Sequence, residues 1–479
     1  MMRKLSYLVV VLAAACGDDG NNKLADAPHH DGAIDTPTID TPPDKVTVTV
    51  TQNGAPRGNV HVYFTNADQS PSDVQDTDGT GNATATVGAG GYVTAIDPFL
   101  AEAGGGGAHY NLYTIAGVKP GDHLYFSESG GEQTQSQTLT VTVPYRANAT
   151  HYEVDSICGS GDIYPVTSGS GSGSSTGPVT GMVTVYGCPA TTDLLVVALD
   201  DDEQPVASFL SAGATITDGA SYDLSAATYT DAVTPTYTYN NLDASGLSLN
   251  REITSASGGL ASYSGSAQTS ANTAVVQLAS PVVPTGGAGV TQVYYASLSN
   301  MTGQGIIAWG PSNNDQTFDA GALELTGFTS QPEFDGTTNK VTWSTSTGGQ
   351  DALAMETELG AFRGSDSWNW VVYSPYTAGT VQFPTLPTDV YSFNPAADDE
   401  DDVDLVDLVN VDGISYDLVR GHVADNSYLI YSALPTGQGE DAYYQGEETT
   451  TRTRAKHHQR SHALFGHANP RMATHRISR

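Results

Sequence analysis

The chain has 479 residues, with 18 Lys and Arg against 53 Asp and Glu, a net charge of −35. Charged residues make up only 15% and glycine fills 52 positions, a balance that excludes coiled coils and long surface helices. Such an anionic excess repels phosphate backbones and excludes nucleic-acid binding for the body of the chain, while the length implies roughly three domains of about 150 residues.

At the N-terminus, Arg3 and Lys4 precede an uncharged run from Leu5 to Ala15. That run is shorter than the roughly 20 apolar residues of a bilayer span. It has the size of a signal-peptide core, and it ends in small residues as a cleavage site requires. Cys16 follows directly. The segment Leu12-Ala13-Ala14-Ala15-Cys16 resembles the lipobox of bacterial lipoproteins, with its leucine one position further from the cysteine than is usual. The resemblance implies that residues 1–15 are removed as a signal peptide. Cys16 then becomes a mature N-terminus carrying diacylglycerol and an amide-linked acyl chain such as palmitate. More than one chain makes such an anchor stable. Gly17, where an aspartate would favour retention in the inner membrane, implies the outer membrane, facing the periplasm or the cell surface.

Residues 16–44 hold almost no large apolar side chains and repeat Asp-Thr-Pro at Asp35-Thr36-Pro37 and Asp40-Thr41-Pro42. A segment of this composition cannot bury enough surface to fold, and proline with like-charge repulsion extends it. It reads as a disordered acidic stalk.

From Lys45 the pattern becomes period two. Val46, Val48 and Val50 alternate with threonines, Asn53-Gly54 signals a hairpin turn, and Val60, Val62 and Phe64 line one face of the next strand. A turn at Asp78-Gly79 leads to Ala83, Ala85 and Val87, and Gly90 to Ile96 supplies another short strand. The segments Asn53 to Val62 and Thr77 to Thr84 are similar to the repeating signature of bacterial immunoglobulin-like and carboxypeptidase-regulatory-like (transthyretin-type) domains. Over residues 45–146 the resemblance implies a β-sandwich with an accessory or spacer role.

A second block, 147–285, holds the other two cysteines, Cys158 and Cys188. An exported chain meets an oxidising compartment, so a disulfide between them is expected, with the Gly/Ser tract from Ser168 to Gly177 as a loop fastened at both ends. Leu194 to Leu199 reads as a buried strand and Asp200 to Pro205 as its exposed turn. Further strands fit Pro205 to Leu210, Thr236 to Asn241 and Thr273 to Ala279. Residues 284–289 mark a boundary. The third block, 286–446, carries all four tryptophans, Trp309, Trp343, Trp368 and Trp370. Strand-like runs there are Val290 to Leu298, Gly305 to Trp309, Lys340 to Ser344, Trp368 to Tyr373 and Ile414 to Val419, with a short helix expected over Asp351 to Gly360.

Catalytic signatures are sparse. No histidine lies between His151 and His422, so a serine or cysteine nucleophile in these blocks lacks a nearby general base. The one Gly-x-Ser-x-Gly match, Gly173 to Gly177, lies in the Gly/Ser tract instead of between a strand and a helix, where a nucleophile elbow needs it. From Ala147 to Gly446 the only cations are Arg251, Lys340, Arg363 and Arg420, which disfavours phosphoryl transfer. Asp398, Asp399, Asp401, Asp402 and Asp404 form the densest acidic run. Calcium favours such oxygen donors, but without a glycine to fold the loop around an ion the run reads first as a solvated, self-repelling loop. Trp368 and Trp370 alternate onto one strand face, where they pack as core or form an aromatic ledge for sugar rings.

Residues 447–479 reverse the charge, with seven Lys and Arg against two Glu and five histidines. With no hydrophobic periodicity they read as a disordered basic tail, suited to anionic surfaces or dispensable. The whole reads as an all-β chain of tandem β-sandwich-like domains behind a signal peptide and stalk. Its expected role is non-enzymatic: a membrane-anchored structural or interaction module of the cell envelope, with envelope glycans or proteins as partners and no required cofactor. A glycan-binding or adhesive protein and a carboxylate-dependent hydrolase are the alternatives. Most of the acid is expected in the stalk and in turns.

Overall fold

The computed structural model describes residues within 44–446, apart from internal stretches of which 98–107, 166–176 and 422–436 are the longest. The signal peptide, Cys16, nearly all of the stalk, Asn53-Gly54, most of the Gly/Ser tract, the 285–288 boundary and the basic tail therefore lie outside the described residues. Those described are all-β: thirty strands and one five-residue helix, arranged as sandwich-like layers in tandem. They belong to one compact unit.

The alternation at the start of the body is a buried face. Val46, Val48 and Val50 share a core with Val60, Val62, Phe64, Ala83, Ala85 and Val87. Val46–Gln52 pairs antiparallel with Asn82–Ala85 and parallel with His123–Glu128. Gln52 pairs with Ala55 across the Asn53-Gly54 connection. At the expected Asp78-Gly79 turn, the Gly81 amide donates to the Asp78 carbonyl at 2.9 Å.

The largest sheet has twelve strands. Its order is Gly258–Gln268, Gly246–Ser255, Gly289–Ser297, Thr302–Gly310, Gly437–Gln445, Glu400–Val411, Ala354–Arg363, Asp366–Pro375, His109–Val118, Gly91–Asp97, His61–Thr65, Pro71–Asp76. The sheet crosses both boundaries read from the sequence. His109–Val118 of the first block pairs parallel with Asp366–Pro375 of the third, and Gly246–Ser255 of the second pairs antiparallel with Gly289–Ser297 of the third.

Around the middle of this sheet the body has three layers. Trp368, Trp370 and Val372 enter one core with Trp343, Phe383 and Phe393, under a small sheet containing Val341 and Val381. Val371 and Tyr373, on the other face of the same strand, join Val48 and Val62. At the far end, Leu249, Ile253 and Tyr263 pack on Tyr237, Val276, Leu195 and Val197. The opposite face of Thr191–Leu199, with Leu194, Val196 and Ala198, packs on Leu139, Val141 and Val183.

Three expectations are corrected. The segment expected as a helix over 351–360 is the strand Ala354–Arg363, paired on both edges. Met355, Leu359 and Ala361 alternate into a core, and the glutamates between them disguised that alternation. The segment expected as a strand over 414–419 holds the helix Tyr416–Arg420, with Asp417 in its first turn and Arg420 in its last. It docks on the sheet, where the Tyr416 hydroxyl is shared between the carbonyls of Ala116 and Tyr373 at 2.9 and 3.0 Å. The acidic run expected as a solvated loop opens the strand Glu400–Val411, which has neighbours on both edges.

Candidate functional site

Cys158 and Cys188 form the expected disulfide, with Cα atoms 5.2 Å apart and 30 residues between them in sequence. Cys158 follows His151–Ser156 and Cys188 precedes Thr191–Leu199, two strands paired at Asp155 and Leu195. The bridge therefore fastens neighbouring strand ends.

Trp368 and Trp370 are 2% and 0% exposed. Trp370 Nε1 donates to Thr114 Oγ1 at 2.8 Å, and its ring meets Phe383 edge-on at 5.3 Å. The Arg363 guanidinium lies 5.1 Å from the Trp368 ring centre. Both indoles are core, and neither presents a face on which a sugar ring could stack.

Among the described residues the calcium set is not assembled. Asp398 lies outside the described residues. The Asp399 side chain is fully buried and bound at both oxygens by Arg363, at 2.6 and 2.8 Å. Burial pushes its carboxyl up, but the hydrogen bonds from Arg363 and the Ala396 amide, with the Arg363 charge, hold it below the ordinary range. Asp401, Asp402 and Asp404 belong to a strand, which turns successive side chains to opposite faces. Burial and then the charges of Asp399 and Asp402 push Asp401 up to about 6. Among the described residues no three His, Cys, Asp or Glu are placed to hold a metal.

The chemistry that the sequence concealed lies in the strands. Glu356, Glu358 and Asp407 are buried, at 0%, 3% and 1% exposure. Glu356 stands opposite Asp407 on one side and Tyr373 on the other. Gly360, next after Glu358 on the same face, leaves room for Asp404: a Cβ there would lie 2.7 Å from Asp404 Oδ2. Burial, reinforced by the Asp404 charge, pushes Glu358 up to about 8, against the hydrogen bonds of Glu356 and Asn369. Burial, with the nearby charge of Glu356, likewise raises the Tyr373 phenol.

A second pair, Glu153 and Asp155, lies on His151–Ser156, a strand with every residue buried. Asp155 is raised well above the ordinary carboxyl by burial, then by the charges of Glu153 and Asp162 and a hydrogen bond with Glu153. Both clusters correct the expectation that the acid belongs to the stalk and turns. A glutamate at i and i+2 of a strand marks one face, but only the long-range pairing shows that the face is closed. Closure also bears on hydrolysis: acids at 4% exposure or less admit no glycosidic bond between them.

Three of the four cations noted in the sequence hold the fold. Arg363 binds Asp399. Arg420, 4% exposed, binds Asp122, Asp417 and the Gly117 carbonyl, joining the short helix to the first block. Arg251, fully buried, donates to the Tyr237 hydroxyl and to Asn313. A shallow open depression of about 470 Å³ is lined by Val233, Thr234, Pro235, Asn313, Asn314 and Asp315, without tryptophan. Among the described residues no helix is long and apolar enough to cross a membrane.

No family model and no curated protein matches the chain. Among solved structures, the Bacillus anthracis TIE protein aligns over 58% of this chain and 50% of its own, at 8% identity and a TM-score of 0.14. The chain thus spans about half the length of that structure. A putative adhesin from Bacteroides ovatus aligns over 42% of this chain and 95% of its own, at 10% identity and a TM-score of 0.14. A streptococcal ancillary pilin aligns over 53% and 90%, at 7% identity and a TM-score of 0.12. At such TM-scores the chain paths do not superpose, and these likenesses carry no functional weight.

Proposed function

We propose that this chain is a lipid-anchored protein of the bacterial outer membrane, with a structural or interaction role in the envelope and no catalytic one. The observation that supports it best is the Cys158–Cys188 bridge. A disulfide belongs to an oxidising compartment outside the cytoplasm, which agrees with the export signal before Cys16. Of the three cysteines, the bridge uses two and leaves Cys16 for acylation. A closed, layered β body held by internal arginine clamps suits a rigid module carried on a stalk. Mass spectrometry of the mature N-terminal peptide tests the reading: acyl mass on Cys16 is expected, with release of the protein from the membrane fraction in Cys16→Ser. An unmodified Cys16 overturns it.

A further inference from the structure

Val46–Gln52, the first strand of the described body, is held by side chains as well as by backbone. It pairs parallel with His123–Glu128, with Thr47 opposite His123 and Thr49 opposite Tyr125, and antiparallel with Asn82–Ala85, with Thr49 opposite Asn82. A parallel ladder is the slightly weaker kind per residue. Across both ladders runs a relay of hydrogen bonds. Tyr125 Oη meets His123 Nδ1 at 3.2 Å, and His123 Nε2 meets Thr49 Oγ1 at 2.7 Å. Thr49 Oγ1 donates to Asn82 Oδ1 at 2.6 Å, Asn82 Nδ2 to Thr80 Oγ1 at 2.9 Å, and Thr80 Oγ1 to Asp78 Oδ1 at 2.6 Å.

The carboxylate sets the direction of every link. Asp78, held below its ordinary value by the Thr80 hydroxyl first and then by the Asn82 amide, is ionised near neutrality and only accepts. The single hydroxyl proton of Thr80 points to it, so Thr80 Oγ1 accepts from the Asn82 side-chain nitrogen, which turns Asn82 Oδ1 to Thr49. The Thr49 proton goes there, so Thr49 Oγ1 accepts from His123. Nε2 therefore carries the ring proton, and in the neutral ring Nδ1 accepts from the Tyr125 hydroxyl. On its own strand the ring stacks on Tyr125, with centres 4.3 Å apart. Val46–Gln52 and Asn82–Ala85 carry no titratable side chain. Asp122, just before His123, is bound by Arg420 and the Lys119 amide, and Asp417 by Lys119 and Arg420. Lys45 precedes Val46, and Arg57 follows Ala55–Pro56, the short strand paired at Thr51 and Gln52.

We propose that this relay is an acid-sensitive fastening of Val46–Gln52: ionised Asp78 fixes the neutral His123 ring with its proton on Nε2, and a solvent proton taken at Nδ1 loosens the pairing with His123–Glu128. With both ring nitrogens protonated, two donors face each other across the Tyr125 contact, so the Tyr125 hydroxyl must turn its proton away. A charge also appears on a half-buried ring between strands. The direction follows from linkage. Burial lowers His123 from its ordinary 6.5, so the contribution of the neutral ring is fully present above 6.5 and is lost as pH falls through the folded value.

Two measurements on the full chain test the fastening. In NMR spectra of the labelled histidine nitrogens at about pH 7.5, the His123 signal, identified by its loss in His123→Gln, is expected to show a protonated Nε2 and a bare Nδ1. Thr80→Val, at the exposed turn, breaks the relay while leaving the Asp78 charge, and should admit the form protonated on Nδ1. Hydrogen-exchange protection factors at about pH 7.5 and about pH 5 report on the strands. Residues 46–52 and 123–128 are expected to lose protection at the lower pH relative to 61–65 and 91–97. His123→Gln, which can still donate to Thr49 but does not titrate, should abolish that local loss. A wild-type proton on Nδ1, a tautomer unmoved by Thr80→Val, equal protection at both pH values, or the same local loss in His123→Gln each overturns the proposal. If His123→Gln does not fold, the shift in Tyr125→Phe identifies the His123 signal, and the wild-type tautomer and protection profile decide.

Discussion

Asp78 sits in the turn before Asn82–Ala85, where its Oδ1 accepts from the amide and hydroxyl of Thr80 at 2.8 and 2.6 Å and from the Asn82 amide at 3.1 Å. Glu358 sits in the middle of Ala354–Arg363, between strands, where burial is the dominant influence on it. The turn donors, Thr80 foremost, hold Asp78 below its ordinary value; Asp68, Asp223 and Asp335 are lowered in the same way by Ser70, Ser225 and Thr338. Glu358 is pushed up to about 8. The same group thus responds to pH in opposite senses. Stability from the turn acids is present above about 3.8 and lost as pH falls through their folded values. Stability from Glu358 is present below about 4.5 and lost as pH rises through about 8. A net charge of −35 counts both populations alike; their surroundings set them apart.

The largest expected effect tests the buried side. With an ordinary value of 4.5 and a folded value of about 8, Glu358 costs the fold on the order of 5 kcal/mol at most once fully ionised. Urea unfolding should show wild-type stability falling between about pH 5 and about pH 8, and Glu358→Gln removing the share of that fall that belongs to Glu358 while changing little at about pH 4. A variant that is no more stable than wild type at about pH 8.5 breaks the contrast between strand and turn acids.

Asp399 sharpens the comparison, because it is buried and yet held low. What separates it from Glu358 is Arg363. Arg363→Ala strands a buried carboxylate and also removes bonds to the carbonyls of Ser392 and Asn394. A loss of about 3–5 kcal/mol in denaturant unfolding is expected. Asp399→Asn, which leaves no buried charge of its own, should cost less than Arg363→Ala; the reverse order would mean that the arginine is not what keeps Asp399 ionised.

The fold class was legible because alternation is local. Val46, Val48 and Val50 and the run Leu194 to Leu199 declare their burial within a few residues. The joining of His109–Val118 to Asp366–Pro375 was not legible, since a parallel pairing over some 250 positions leaves no local mark. The layers stacked on that sheet decide which faces close, and they were no more legible. The small sheet containing Val341 and Val381 turns Trp368 and Trp370 into core instead of a ledge, and Glu356 and Glu358 are buried groups instead of the exposed side of a helix. The disulfide could be read from count and compartment alone. The carboxyl pairs could not, because an acidic strand residue looks solvent-facing until the layer above it is known.

Removing the disulfide separates covalent from proton-dependent stability. For a 30-residue loop the chain-entropy model gives about 3.6 kcal/mol. Cys158→Ser with Cys188→Ser should lower the unfolding midpoint similarly at about pH 5 and about pH 8. A much larger loss at the higher pH would show that the bridge chiefly restrains the folded strands instead of the unfolded chain.

The smallest effect lies on the exposed side. Asp78→Ala removes the acceptor for three donors in a turn that the flanking strands also define by pairing Thr49 with Asn82. Solvent replaces those bonds readily at an exposed site, so the thermal midpoint should drop only slightly at about pH 6. Its pH dependence is the informative part. As pH falls through the lowered value of Asp78, the wild-type carboxylate takes a proton and its acceptor strength declines. The difference between variant and wild type should therefore shrink at about pH 2.5. This is the opposite sense to Glu358→Gln, whose effect grows as pH rises. If the Asp78 difference persists undiminished in acid, turn geometry and not carboxylate charge is what Asp78 supplies.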